Sequence, residues 1–102
     1  MSEENLPDLE GRVIAIYVAG APPVIQNGVV LEHASFVRQG GRLFVIGRTP
    51  EYSAHNLEWS IKLQSGVPWD AVLHYMIFDS YEDYITRCRS WNPSWWKRLF
   101  GY

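Results

Sequence analysis

The side chains that could carry out acid–base or nucleophilic chemistry are three histidines and a single cysteine. His74 lies inside an apolar run beside Tyr75, where an imidazole could transfer protons near neutral pH. The simpler interpretation is a hydrogen-bonded histidine of the core, because buried polar side chains are nearly always paired. His33 is expected at a partly exposed strand position. Cys88 is expected to be a small buried apolar residue, since a nucleophile would need an electropositive pocket.

One set of side chains has the spacing of metal ligands. Glu51, His55 and Glu58 would share one face of a helix at positions i, i+4 and i+7. Without a second histidine nearby, this face is better explained as solvated helix surface, so neither a metal nor a cofactor is predicted. The sequence also has no phosphate-binding glycine loop and no nucleophile elbow. We therefore assign no catalytic residues, and a small enzyme using His74 or His55 with a nearby carboxylate is the alternative.

Basic and aromatic side chains alternate around the central stretch 34–48, and they form the first candidate binding surface. Small barrels of the SH3, Sm and OB kinds bind peptides or single-stranded RNA through such surfaces, which is an analogy of architecture and not a motif match. The net charge of −2 argues against general nucleic-acid binding. The candidates on this surface are Arg38, Arg42, Phe44 and Arg48.

The C-terminal segment carries the second candidate surface. Residues 93–102 are expected to form a two-turn helix with aromatic rings on one side and basic side chains on the other. Two turns are not stable alone in water, so the segment must dock. Its destination is the protein's own sheet, a protein partner or second copy, or an anionic membrane surface. The candidate residues are Trp95, Trp96, Lys97, Arg98 and Phe100.

The length of 102 residues predicts one domain that buries roughly 65% of the surface of its unfolded chain. The polar, acidic residues 1–10 are expected to be a disordered tail, and residues 11–102 a single small domain. A single cysteine cannot form an intrachain disulfide. The amino terminus has neither the basic nor the apolar region of a signal peptide, so we expect a cytoplasmic location.

Five strands are predicted from β-branched runs and turn residues. The first covers residues 11–19, and the second covers residues 24–39 with a bulge or tight turn at Asn27-Gly28. The third follows a glycine turn at Gln39-Gly40-Gly41. A three-residue loop would place Phe36 opposite Phe44, Ala34 opposite Ile46 and Glu32 opposite Arg48. A two-residue loop would shift that pairing.

The second half of the chain alternates strand and helix signals. Thr49-Pro50-Glu51 is typical of a helix start, and a short helix is expected to about residue 56. Residues 57–64 predict a half-buried fourth strand, with Leu63 on its buried side. Residues 65–68 are expected to form a turn. The fifth strand, residues 69–78, has almost no polar face, so both of its sides should be covered.

A helix is predicted from Ser80 to about Arg89, with Asp79 as its N-cap and Glu82 reaching back to it. Its apolar stripe is expected to cover the fifth strand; the stripe consists of Tyr81, Tyr84, Ile85 and Cys88.

Together these elements predict a mainly β (α+β) fold, either a small bent five-stranded antiparallel sheet or an SH3/Sm-like barrel, with one or two C-terminal helices packed on it. Because aromatic surface is abundant and catalytic constellations are absent from the sequence, we expect a non-catalytic protein-interaction or binding module. The expected partner is another protein or a second copy. A single-stranded RNA-binding or membrane-surface-binding barrel is a further alternative to the enzyme.

Overall fold

The computed structural model of the chain describes residues 5–18, 28–51 and 62–91. The elements in these ranges are β1 Val13–Val18, β2 Val29–Gln39, β3 Arg42–Arg48, β4 Gln64–Pro68, a 3-10 helix Trp69–Ala71, β5 Val72–Phe78 and α1 Tyr81–Trp91. The strands form one open antiparallel sheet in the order β4-β3-β2-β1-β5. The mainly β, α+β prediction is therefore confirmed.

β1 is the most deeply buried strand of the sheet. Its first four residues, Val13 to Ile16, are almost completely removed from solvent. Alternate side chains of a strand point to opposite faces, so a strand made only of apolar residues needs cover on both. Both faces of β1 are covered, because an apolar cluster lies on each. Both edges of β1 are paired as well, one with β2 and the other with β5.

The larger cluster lies on the face of the sheet away from α1 and joins β1 to β2, β3, β4 and the 3-10 helix. It consists of Leu9, Ile14, Ile16, Leu31, Ala34, Val45, Val67 and Trp69. The smaller cluster joins the opposite face of β1 and β2 to the helix. It consists of Val13, Ala15, Val30, Tyr84 and Cys88, with Phe78, Tyr81 and Ile85 packed against it.

The segment that precedes β1 belongs to the larger cluster. Leu9 is buried there, and Leu6 packs against the same residues. Arg12 N–H donates to the Leu9 carbonyl at 3.0 Å, so the chain turns into β1 directly after this contact. The sequence predicted a disordered tail over residues 1–10 from its acidic composition alone. Composition does not reveal that Leu6 and Leu9 pack against the core.

The hairpin between β2 and β3 has the shorter of the two loops considered. Gly40 and Gly41 both have positive φ, +57° and +79°, as a two-residue type I′ turn requires. Val37 therefore pairs with Phe44, and the pairings of Phe36 with Phe44 and of Ala34 with Ile46 do not form.

β2 carries a bulge that restores the expected pairing of Glu32 with Arg48. One residue is inserted between Glu32 and Ser35, and His33 has a positive φ of 53° at this point. The insertion reverses the inward and outward positions along the rest of the strand. In a regular strand, Leu31 and Ala34 would point to opposite faces, because they are three positions apart. The bulge brings both side chains to the same face, where they join the larger cluster.

β4 lies where a turn was predicted. Residues 65–68 form most of the strand, which pairs with β3 from Phe44–Pro68 to Arg48–Gln64. Gly and Pro are tolerated because β4 is an edge strand, where missing side chains and donors cost little. Leu63, predicted to be buried, lies just before β4 and is 52% exposed.

Thr49 and Pro50 are buried, and Thr49 ties the end of β3 to the residues before β4. Its backbone N–H donates to the Leu63 carbonyl at 3.0 Å, and its hydroxyl accepts from Leu63 N–H at 3.2 Å. The Thr49 side chain thus binds the residues before β4; the helix that Thr49 was predicted to cap lies outside the described residues.

β5 begins three residues later than predicted, after the 3-10 helix, and it is only partly covered. The expectation of cover on both sides was wrong for residues 73–76, which are exposed. His74 is one of them, so it is not the core histidine that the apolar run indicated. The physical reason is position, because β5 is an edge of the sheet and α1 crosses it only near Phe78.

Helix α1 confirms the predicted stripe but shifts the cap by one residue. Ser80 is the capping residue, since its hydroxyl accepts from Asp83 N–H at 3.0 Å. The Asp83 carboxylate reaches back and accepts from Asp79 N–H at 3.2 Å. Ser80 and Asp83 thus cap the helix in a variant of the capping box, in which the second bond goes to the residue before the cap, whereas the sequence predicted a box made by Asp79 and Glu82.

Several predictions fall outside the described residues. These are the turn residues up to Asn27, the short helix to residue 56, most of the predicted strand 57–64, and the two-turn helix 93–102. Within the described part of the chain, no helix has the length and apolar content to cross a membrane.

Candidate functional site

The two edges of the sheet differ in how they are protected from further strand pairing. β4 is five residues long and contains Gly66 and Pro68, which weaken an edge as a template. β5 is seven residues long and contains no charged residue, no glycine and no proline. Within the described residues no strand pairs with its outer side. β5 is therefore the edge better suited to accept another strand.

Large apolar side chains are exposed along this edge. Leu73 is 73% exposed, Met76 40% and Tyr75 38%. Leu73 is the extra residue of a bulge, because β1 pairs with Val72 and His74 but not with Leu73. A bulge pushes its residue out of the ladder, which explains why the most exposed of these large apolar side chains is found there.

An aromatic cluster supports β5 from the side of the larger core cluster. The ring centroids of Trp69 and Tyr75 lie 5.2 Å apart, and those of Trp69 and Phe36 lie 5.0 Å apart in an edge-to-face arrangement. Trp69 is buried, so it holds Tyr75 in place from below while the outer part of that ring remains accessible. Tyr75 is thus a fixed anchor on the surface.

A hollow of about 430 Å³ lies between the tip of the β2–β3 hairpin and the start of β5. Arg42 makes a two-pronged contact with Asp70 across it, with Nη2 2.7 Å from Oδ1 and Nε 3.2 Å from Oδ2. These hydrogen bonds to Arg42 lower the pKa of the Asp70 carboxyl. Arg38 also lines the hollow and donates to the Gly41 carbonyl at 3.0 Å. Two guanidinium groups and one carboxylate thus lie at this end of β5.

The other end of β5 is acidic. Asp79 follows the strand directly, and Glu82 and Asp83 lie in the first turn of α1. Asp83 pairs with Arg87 at 2.8 Å, and that hydrogen bond lowers the pKa of the carboxyl. Three carboxylates therefore lie near this end of β5, and one of them is paired with Arg87.

The remaining reactive side chains do not form a catalytic set in the described part of the chain. The rings of His74 and Tyr17 lie 5.4 Å apart on the exposed side of β5. Burial raises the pKa of the Cys88 thiol, and a hydrogen bond with Tyr84 lowers it in part. Burial, and then the nearby Cys88, raises the pKa of Tyr17. A thiol that keeps its proton is a poor nucleophile.

The structure brings together part of the predicted binding surface. Arg38 and Arg42 line the same hollow, and the Arg42 guanidinium carbon lies 6.0 Å from the centroid of the Phe44 ring. Arg48 lies at the opposite end of β3, where it donates to the Lys62 carbonyl at 3.0 Å. It is therefore separate from the other three. The C-terminal candidates lie outside the described residues.

The metal hypothesis gains no support from the described residues. His55 and Glu58 lie outside them, and no group of three or more His, Cys, Asp and Glu side chains within them could hold an ion.

Comparison of the chain with protein-family models, with curated proteins and with solved structures finds no match. The residues of the site therefore carry the functional argument alone. Sequence reasoning missed the exposed side chains of β5, because the apolar run that indicates a covered strand is the same run that makes an accessible edge. Only the position of β5 in the sheet distinguishes a covered strand from an accessible edge strand.

Proposed function

We propose that the protein is a non-catalytic protein-interaction module that binds an extended segment along the outer edge of β5. The observation that carries this proposal is the edge itself, seven residues without charge, glycine or proline. In strand addition, main-chain hydrogen bonds supply affinity and side-chain contacts supply specificity. The outer side of β5, which no other strand of the described residues pairs with, can supply the main-chain hydrogen bonds. Leu73, Tyr75 and Met76 can supply the side-chain contacts.

The size of the edge defines the kind of binding. A seven-residue strand is roughly 23 Å long, which matches an extended peptide and is short for a standard interface of roughly 1,200–2,000 Å². Binding through β5 alone is therefore transient. This is the range of signalling and assembly contacts rather than of permanent complexes.

The test is a selection of random peptides displayed on phage against the full chain. The proposal expects peptides with alternating apolar residues, and binding weakened by at least about tenfold in Met76→Lys, because a charge on an edge opposes pairing. Leu63→Lys is the matched control, since Leu63 is also an exposed aliphatic residue but lies beside β4. It should bind as the unaltered protein does.

A chemical variant of the peptide separates strand addition from simple apolar contact. N-methylation of every second amide removes the donors on one edge of the peptide, so one of the two alternating patterns should abolish binding and the other should be tolerated. Equal binding of both methylated peptides, or equal binding by Met76→Lys, would overturn the proposal.

A further inference from the structure

A second, smaller hollow lies at the beginning of β5 and has a volume of about 290 Å³. We call it the aromatic hollow; its lining consists of Trp69, Val72, Leu73, His74 and Tyr75. Successive side chains of a strand point to opposite faces, so a hollow lined by the successive residues 72–75 lies along the edge of β5. β1 pairs with the inner edge. The aromatic hollow therefore lies on the outer edge, where the extended segment is proposed to bind.

The bulge in β5 explains why there is space at this position. β1 pairs with Val72 and His74 but not with Leu73, so the strand bends there and Leu73 is displaced from the ladder. Leu73 is exposed and forms one wall of the aromatic hollow, whereas Trp69 is buried and forms its floor. Bulges are frequent beside functional sites, because they change the direction of a side chain.

The lining of the aromatic hollow determines which side chain it can accept. None of its five residues is acidic, lysine or arginine, so a charged side chain would lose hydration there without meeting an opposite charge in the lining. Arg38, Arg42 and Asp70 instead line the neighbouring hollow of about 430 Å³, which shares Trp69 and Val72 with the aromatic one. The aromatic hollow therefore suits an uncharged group.

The size of the aromatic hollow and its two aromatic rings favour one aromatic side chain. Pockets for small-molecule ligands usually have volumes of about 300–1,000 Å³, so a hollow of about 290 Å³ suits a single large side chain better than a cofactor. The rings of Trp69 and Tyr75 are inclined by 46°, with their centroids 5.2 Å apart. Aromatic rings prefer offset or edge-to-face contacts at about 4.5–7 Å, so a third ring gains contacts that an aliphatic side chain cannot make.

We infer that the aromatic hollow holds one aromatic side chain of the extended protein segment that binds to β5, and this inference rests on the strand addition proposed above. Main-chain hydrogen bonds hold the segment along the edge, and the aromatic side chain selects it. It also fixes the register, because a shift of the segment by one residue would turn the aromatic side chain to the other face. The partner is therefore a protein segment with a single aromatic anchor among alternating apolar residues.

Three synthetic peptides test the anchor. They have the sequence acetyl-Thr-Val-Thr-X-Thr-Val-Thr-amide, in which X is tryptophan, leucine or alanine. Titration of the full chain with each peptide, followed by amide NMR spectra, measures the three dissociation constants. The tryptophan peptide should bind at least about tenfold more tightly than the alanine peptide, because only the tryptophan ring fills the aromatic hollow. It should also bind more tightly than the leucine peptide.

A pair of variants tests where the anchor binds. Leu73→Ala removes one wall of the aromatic hollow, so it should weaken the tryptophan peptide by at least about tenfold and the alanine peptide by less than about twofold. Met76→Ala is the matched control, because Met76 is also an exposed apolar residue of β5 but does not line the hollow. It should weaken both peptides by the same factor. Both variants must keep the melting temperature of the unaltered chain within about 5 °C to be compared.

The outcomes separate the anchor from the strand addition. The anchor is overturned if the tryptophan peptide does not bind, or if it binds no more tightly than the leucine or alanine peptide. An equal effect of Leu73→Ala on the tryptophan and alanine peptides also overturns it. If the peptides selected on phage still lose affinity in Met76→Lys, the strand addition stands without an aromatic anchor. If they bind Met76→Lys and the unaltered chain equally, the strand addition fails as well.

Discussion

Glu32 lies opposite Arg48 in the β2–β3 ladder, although the register set by the hairpin turn would place His33 there. The turn pairs Gln39 with Arg42, and the inserted residue between Glu32 and Ser35 shifts all pairs beyond it by one position. The bulge therefore decides which side chains of β2 face the core. On the facing strand, Gly47 lies between Arg48 and Ile46, the residues that pair on either side of the bulge.

We predict that Gly47→Ala destabilises the protein by about 1–3 kcal/mol, because a Cβ at this position would lie 2.8 Å from the Glu32 carbonyl oxygen and 3.1 Å from Ala34. Backbone atoms cannot move aside as a flexible side chain can. Gly66→Ala is the control, since its Cβ would meet the Ile46 side chain at 3.3 Å. Urea unfolding should show a larger loss for Gly47→Ala, and equal losses would contradict the packing at the bulge.

The hairpin was predictable from sequence but its register was not. Paired glycines between β-branched runs identify the turn, and the choice between loops depends on one residue. The bulge at His33 leaves no local signal, because a histidine with positive φ is stabilised by the strands around it. The strand conformation of β4 also depends on tertiary contacts. Gly66 and Pro68 indicate a turn from local sequence alone, but pairing with β3 makes this segment a strand.

A second prediction concerns the Arg42–Asp70 pair. The pKa of Asp70 is lowered first by its hydrogen bonds to Arg42, so Arg42→Gln should raise it toward the ordinary value near 3.9, as measured by carboxyl carbon NMR titration. Arg38→Gln should leave it unchanged. Because the folded-state pKa is lowered, the pair stabilises the fold above the unfolded pKa and loses this effect as pH falls through the folded one. An unchanged Asp70 titration in Arg42→Gln would refute the contact.

The helix contact rests on Tyr84, which has no exposed surface in the smaller cluster. We expect Tyr84→Ala to destabilise the protein by about 3–5 kcal/mol, because it leaves a cavity between α1 and the sheet. Tyr84→Phe keeps the ring beside Phe78, 5.0 Å between centroids, and should cost much less. Thermal unfolding followed by far-UV circular dichroism compares the two. Similar losses would mean that the hydroxyl, not the ring, holds the helix.

Cys88 should react slowly with thiol reagents in the folded protein. It is buried and its pKa is raised, so few molecules carry the thiolate at neutral pH. We expect the rate with a chromogenic disulfide to rise by more than about tenfold when denaturant unfolds the chain, and to rise in Tyr84→Ala without denaturant. A fast reaction of the folded, unaltered protein would show that α1 leaves the thiol open.

Leu9 tests the role of the segment before β1. Leu9→Ala should destabilise the protein by about 2–5 kcal/mol, because Leu9 packs among Ile14, Ile16 and their neighbours. Asn5→Ala, at an exposed position of the same segment, should have little effect. If urea unfolding finds both variants equal to the unaltered chain, the segment is not part of the folded core.

The candidate site shows a different limit of sequence reasoning. Arg38 and Arg42 were identified by composition, and the hairpin brings them to one hollow. The exposed residues of β5 were assigned to the interior, because hydrophobic periodicity reports which side chains avoid water but not which strand lies at the margin of a sheet. Strand order depends on contacts between distant parts of the chain, as in the pairing of Ile14 with Ile77.

That pairing also sets the order of events during synthesis. β1 emerges from the ribosome more than 50 residues before the β5 partner that covers one of its sides, and the helix that covers one of its faces comes later still. Until then the run Val13–Val18 is an apolar segment of high strand propensity with half its partners missing. Long-range pairing of this kind raises the contact order, so we expect β1 to gain its full set of partners only when nearly the whole described sheet has been made. Until β5 and α1 are made, we therefore expect the exposed β1 segment to make the nascent chain more prone to aggregation than the folded protein.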